Sequence, residues 1–158
     1  LEHSDQAYLK FIGKNEGIRN KVYNDPLGIP TVGIGFNLER SAAEWVMKKI
    51  GANYHAVLLG HPLTDEQVIA LFQMNLNEAK AICKDVFPCW AHFSANRKLA
   101  LVDMAFNLGR PRLVKFKRMI GAVQRADWNT AADEAMDSKW YNQVKSRGPR
   151  VVSLIREG

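Results

Sequence analysis

Glu16, Asp25 and Thr31 bracket the one segment of this 158-residue chain whose residue types read as an active site. Two carboxyl groups suit hydrolysis of a glycosidic bond: one protonates the departing oxygen, while the other faces the sugar as an anion or directs water to it. Glu16 fits the acid and Asp25 the anion. Taken alone, two carboxylates nine positions apart are more often solvated surface charges. Thr31 equally suits a β-branched strand position.

The elements that would carry these residues are legible. Asp25-Pro26-Leu27-Gly28 has the composition of a type I turn, because proline pre-sets φ and an aspartate hydrogen-bonds its own backbone. It predicts a hairpin with arms Lys21–Asn24 and Ile29–Ile34, with Thr31 and Gly33 on one face and Val32 and Ile34 on the other. Upstream, Tyr8, Phe11 and Ile12 recur at helical spacing behind a cap at Ser4 or Asp5. That helix would end at Glu16, with Gly17 as its stop.

The segment resembles the catalytic motif of the phage-type lysozymes, glycoside hydrolase family 24: Glu, eight residues, Asp, five residues, Thr, then Gly-x-Gly. Glu16, Asp25, Thr31, Gly33 and Gly35 fill it. The likeness continues in Met104-Ala105-Phe106-Asn107-Leu108-Gly109 and in Ser138-Lys139-Trp140-Tyr141-Asn142-Gln143, followed by Arg147 and Arg150, and spans nearly the whole chain. It implies an α+β, mostly helical, two-lobed lysozyme-like fold in a single domain, residues 1–158. A small β-hairpin lobe would occupy about 13–63, a long connecting helix about 64–83, and a helical lobe about 84–158 together with the N-terminal helix.

The resemblance further implies a muramidase that cuts the β-1,4 link between N-acetylmuramic acid and N-acetylglucosamine in peptidoglycan, with inversion and without a cofactor. Glu16 would be the general acid, Asp25 the base or the electrostatic stabiliser, and Thr31 a holder of the water. Arg147 would support Glu16. Gly35, Asn37, Phe106 and Asn107 would meet substrate. Departures from the family's best-known member are Phe36 in place of a His, Asn37 in place of an apolar contact, and Met119 and Glu134 in place of polar ones.

Composition sets the frame. A 47% hydrophobic and 24% charged chain of this length is an ordinary globular domain, able to bury roughly 68–70% of its unfolded surface. No apolar run approaches the roughly 20 residues of a membrane span, so no membrane insertion is expected. The net charge of +6 favours an anionic partner, with Lys115, Lys117, Arg118, Arg110 and Arg112 as the densest cluster. Only Phe116 interleaves that cluster, which speaks against specific nucleic-acid binding. His3, His55, His61 and His92 lack metal-ligand spacing, and no metal is expected. Cys83 and Cys89 read as two free, largely buried thiols. The partner expected is peptidoglycan and the state a monomer or part of a larger virion protein. The enzyme would reach the cell wall from the host cytoplasm into the periplasm, as an endolysin, or within the virion. The alternative is a catalytically weak peptidoglycan-binding module.

Further helices are predicted over Glu39–Ile50, capped by Ser41 and stopped by Gly51, then a linker through Pro62. Next comes a helix opened by the capping box Thr64-Asp65-Glu66-Gln67 and running to near Cys83. Beyond Phe87-Pro88-Cys89-Trp90, Ser94 caps a helix ended by Gly109, with Leu99, Val102, Met104 and Phe106 inward. Leu113–Val123, Asp127–Met136 and Ser146–Arg156 complete the pattern, with Trp128, Trp140 and Tyr141 as packing residues.

Overall fold

The computed structural model describes residues 3–158, with His3 and Ser4 described through their backbone alone. Two compact units share the chain, residues 1–75 and 76–158. The first holds α1 (His3–Glu16), the antiparallel strands β1 (Arg19–Asn24), β2 (Pro30–Gly33) and β3 (Phe36–Asn37), α2 (Ala43–Lys49), α3 (Tyr54–Leu58) and the start of α4 (Asp65–Val86). Helix α1 already includes Ser4 and Asp5, so its cap lies outside the described residues. It stops where expected: Gly17, at φ 78°, donates its N–H back to the Gly13 carbonyl at 2.8 Å.

The predicted hairpin is β1 and β2, paired with Tyr23 opposite Thr31 and Asn24 opposite Pro30. The reading missed β3, a two-residue strand too short to carry a period, which pairs Thr31 with Asn37 and Val32 with Phe36. Val32, Ile34, Phe36 and Leu38 are sealed from solvent and form the core of this unit with Ile12, Met47 and Leu71. Ser41 caps nothing. Asn37 and Arg40 hold the chain in consecutive turns instead, and α2 begins later, behind Ala42. The expected linker contains α3, which Asn53 caps by accepting from the Ala56 N–H at 2.9 Å. Five residues gave no helical period to read.

The capping box stands as expected. Thr64 Oγ1 accepts from the Gln67 N–H at 3.1 Å, Gln67 Oε1 accepts from the Thr64 N–H at 2.9 Å, and Gln67 Nε2 donates to the Gly51 carbonyl.

The second unit takes the rest of α4, a single 3₁₀ turn (Trp90–His92), α5 (Ala95–Leu113), α6 (Lys117–Gln124), α7 (Trp128–Met136), α8 (Lys139–Gln143) and α9 (Arg147–Glu157). Ser94, Asp127 and Ser138 cap α5, α7 and α8 through the N–H groups of Arg97, Thr130 and Tyr141. Gly109 breaks α5 as read, at φ 72°, but Pro111 restarts one turn that absorbs Leu113; α6 therefore opens at Lys117, not Leu113. Met104 is fully buried, whereas Leu99 and Phe106 are half-buried. Helix α9 packs on α5 and α7, burying Val151, Val152 and Ile155.

Both cysteines are free thiols, Cys83 buried and Cys89 exposed, which corrects the expectation of two largely buried groups. Burial pushes the Cys83 thiol up to about 12. A thiol reagent added to the folded protein at neutral pH should therefore consume one thiol per chain promptly, at Cys89, and the second only on unfolding. Equal rates for the two would contradict the burial of Cys83.

Candidate active site

Asp25 is fixed by the turn it opens. Its Oδ1 accepts the Leu27 N–H at 2.8 Å and the Ile29 N–H at 2.9 Å, while its backbone exchanges bonds with Gly28 and Ile29. The Asp25 side chain is thereby part of the backbone's own bonding. Thr31 follows on β2 and is only 4% exposed. Its hydroxyl donates to the Ile29 carbonyl at 2.9 Å, so its lone pairs are what it offers to a water or a substrate.

Glu16, half-buried at the last position of α1, lies against Gly35. A Cβ at Gly35 would fall 2.6 Å from both Cδ and Oε2 of Glu16, closer than real atoms approach, and φ at Gly35 is 67°. Glycine is required there twice, by backbone conformation and by the carboxyl it admits. This gives Gly35 a packing role toward Glu16, where the sequence had offered only a substrate contact. Asn37, directly across β2 from Thr31, accepts the Glu39 N–H through its side-chain oxygen at 2.7 Å.

These five residues, Glu16, Asp25, Thr31, Gly35 and Asn37, belong to the unit of residues 1–75. Phe106, Asn107 and Arg147 belong to the other. Asn107 accepts from the Trp140 indole N–H at 3.1 Å, and Phe106 is half-buried. Arg147, 4% exposed, grips the Asp103 carboxylate in a two-point pair, Nε to Oδ2 and Nη2 to Oδ1, each at 2.8 Å. Sequence reasoning passed over Asp103. The signal was present, since a carboxylate amid Ala100, Leu101, Val102, Met104 and Ala105, all buried, demands a cation.

The same unit carries a cavity of about 600 Å³. Its wall includes Arg112, Lys115, Lys117 and Arg118 of the basic cluster, Phe116 between them, and both Met119 and Glu134. Among the described residues no group of three His, Cys, Asp or Glu side chains converges as a metal site would require.

A mostly helical α+β chain with a small three-stranded antiparallel sheet has the build of a lysozyme-like fold. The chain belongs to the phage lysozyme family, whose profile matches residues 13–156. It is 30% identical over 165 residues to the Pre-baseplate central spike protein Gp5 of Enterobacteria phage T4, a match covering 99% of this chain and 29% of that protein. It is also similar to Probable T4-type lysozyme 1 of Dictyostelium discoideum, at 30% identity over 91% of this chain and 90% of the relative, and to Probable T4-type lysozyme 2 of the same organism, at 27%.

Proposed function

We propose that the chain is a peptidoglycan muramidase that hydrolyses the β-1,4 bond between N-acetylmuramic acid and N-acetylglucosamine with inversion. The observation that carries this reading is the seating of Glu16 against Gly35 on the same unit in which backbone amides hold Asp25. One carboxyl is kept close to its place by packing and the other by hydrogen bonds, as a reaction needing two pre-positioned carboxyl groups requires. Glu16 protonates the leaving oxygen. Asp25 faces the developing positive charge or takes a proton from water, and the lone pairs of Thr31 receive a proton of that water.

Arg147, held by Asp103, is assigned a supporting role on the strength of the family motif. Asn37, Phe106 and Asn107 are assigned to substrate, and the basic cavity to its anionic peptide stems, where the five cations Arg112, Lys115, Lys117, Arg118 and Lys139 outnumber the carboxylates of Glu134 and Asp137. Similarity to a spike protein over 99% of this chain supports a lysin carried within a larger virion protein over a free endolysin.

Digestion of purified peptidoglycan tests the reaction. New reducing ends should all be N-acetylmuramic acid, and proton NMR during the first minutes should show the α anomer ahead of mutarotation. Reducing N-acetylglucosamine ends would reject the bond assigned, and a β anomer released first would reject inversion.

A further inference from the structure

The sheet aligns a third polar side chain with the proposed site. Tyr23 on β1 pairs with Thr31 on β2, and Thr31 with Asn37 on β3. Directly opposed residues of an antiparallel sheet share a face, so phenol, hydroxyl and amide form one row across three strands. The ring of Tyr23 is half-buried, and the guanidinium of Arg19 lies over it, 4.7 Å from its centroid.

Each member of this row offers something different: Asn37, whose oxygen accepts the Glu39 N–H, has amide N–H groups to donate. The Thr31 proton is committed to the Ile29 carbonyl, so at Thr31 itself a water meets only lone pairs. A water or sugar hydroxyl that donates to Thr31 must accept from a neighbour in the row, and Tyr23 is directly opposite Thr31. A phenol supplies a neutral O–H, and its environment keeps the proton on: burial raises the Tyr23 pKa most, the charge of Glu16 raises it next and that of Asp25 adds to it, against the opposing pull of Arg19. Both carboxylates therefore act on this one hydroxyl, from the end of α1 and from the turn.

We propose that Tyr23 is a positioning residue of the site: with Arg19 stacked on its ring, it presents a phenol O–H beside Thr31 as a hydrogen-bond donor of the row. The proposal rests on the muramidase reading for its catalytic consequence, but not for the contact itself.

Carbon-13 labelling of tyrosine at Cζ, with the Tyr23 signal assigned by its loss in Tyr23→Phe, reads the contact without substrate. The Tyr23 phenol should titrate above an ordinary tyrosine, and its midpoint should fall in Glu16→Gln and fall less in Asp25→Asn. Tyr23→Phe should then keep the melting temperature and the KM for soluble glycan strands while kcat drops about tenfold, the order of one lost hydrogen bond. A Tyr23 midpoint identical in all three proteins would overturn the proposal, as would an unchanged kcat in Tyr23→Phe. Failure of the muramidase reading would show separately, as intact peptidoglycan in the wild-type digest.

Discussion

Glu16→Gln is expected to lower the initial rate of peptidoglycan hydrolysis by about 10²–10⁴-fold, the range a positioned general acid contributes. The amide is nearly the same size and meets the same Gly35 backbone, so the geometry that admits the carboxyl also admits its replacement. What is lost is the transferable proton. Stability should be unchanged or higher, because a charge kept for chemistry is often a local liability. Clearing of outer-membrane-permeabilised cells together with a thermal melt checks both halves. A folded Glu16→Gln protein of near-normal activity would remove Glu16 from the mechanism. Asp25→Asn should lose less if Asp25 chiefly supplies charge, since an amide oxygen can still accept the Leu27 and Ile29 N–H groups.

The largest stability effect should come from Asp103→Ala. Side chains of Arg147 and Asp103 are 5% and 0% exposed, and removing the carboxylate takes from a buried guanidinium the two-point partner it holds. Breaking a buried pair from one side costs about 3–5 kcal/mol, against a total of about 5–15 kcal/mol for a typical domain. Urea unfolding should show a midpoint shift of that size, and Asp103→Leu combined with Arg147→Met should recover most of it, because the cost lies in a buried charge that has lost its two-point partner. A loss under 1 kcal/mol in Asp103→Ala would mean that Arg147 finds another partner or solvent.

Local signals proved the most readable. The turn at Asp25, the stop at Gly17, the Thr64 box and the caps at Ser94 and Asp127 each involve residues within four positions of one another, and each stands in the structure as read. What escaped was of two kinds. Strand β3, α3 and α8 are too short for periodicity to reveal, even though Asn53 and Ser138 offered caps. The Arg147–Asp103 pair and the Tyr23–Thr31–Asn37 row depend on which segments meet, and no spacing within one element encodes that. Of the site, Glu16, Asp25 and Thr31 were legible as residues and as a family motif. The reason for Gly35 became visible only once the end of α1 was seen against the β2–β3 turn.

All the site residues of the first unit fall on one short run of chain, from Glu16 to Asn37, closed by a tight turn and by strands adjacent in sequence. The second unit is bound otherwise, by α5 against α9, whose partners lie tens of residues apart. Loop closure of the first kind is fast, with hairpins forming in about 1–10 μs, and contacts of the second kind carry a larger entropic toll before any return. The three strands bearing Thr31 and Asn37, with Asp25 in their first turn, can thus sample their native register early in refolding, while Asp103 and Arg147 wait for the slower docking of their helices.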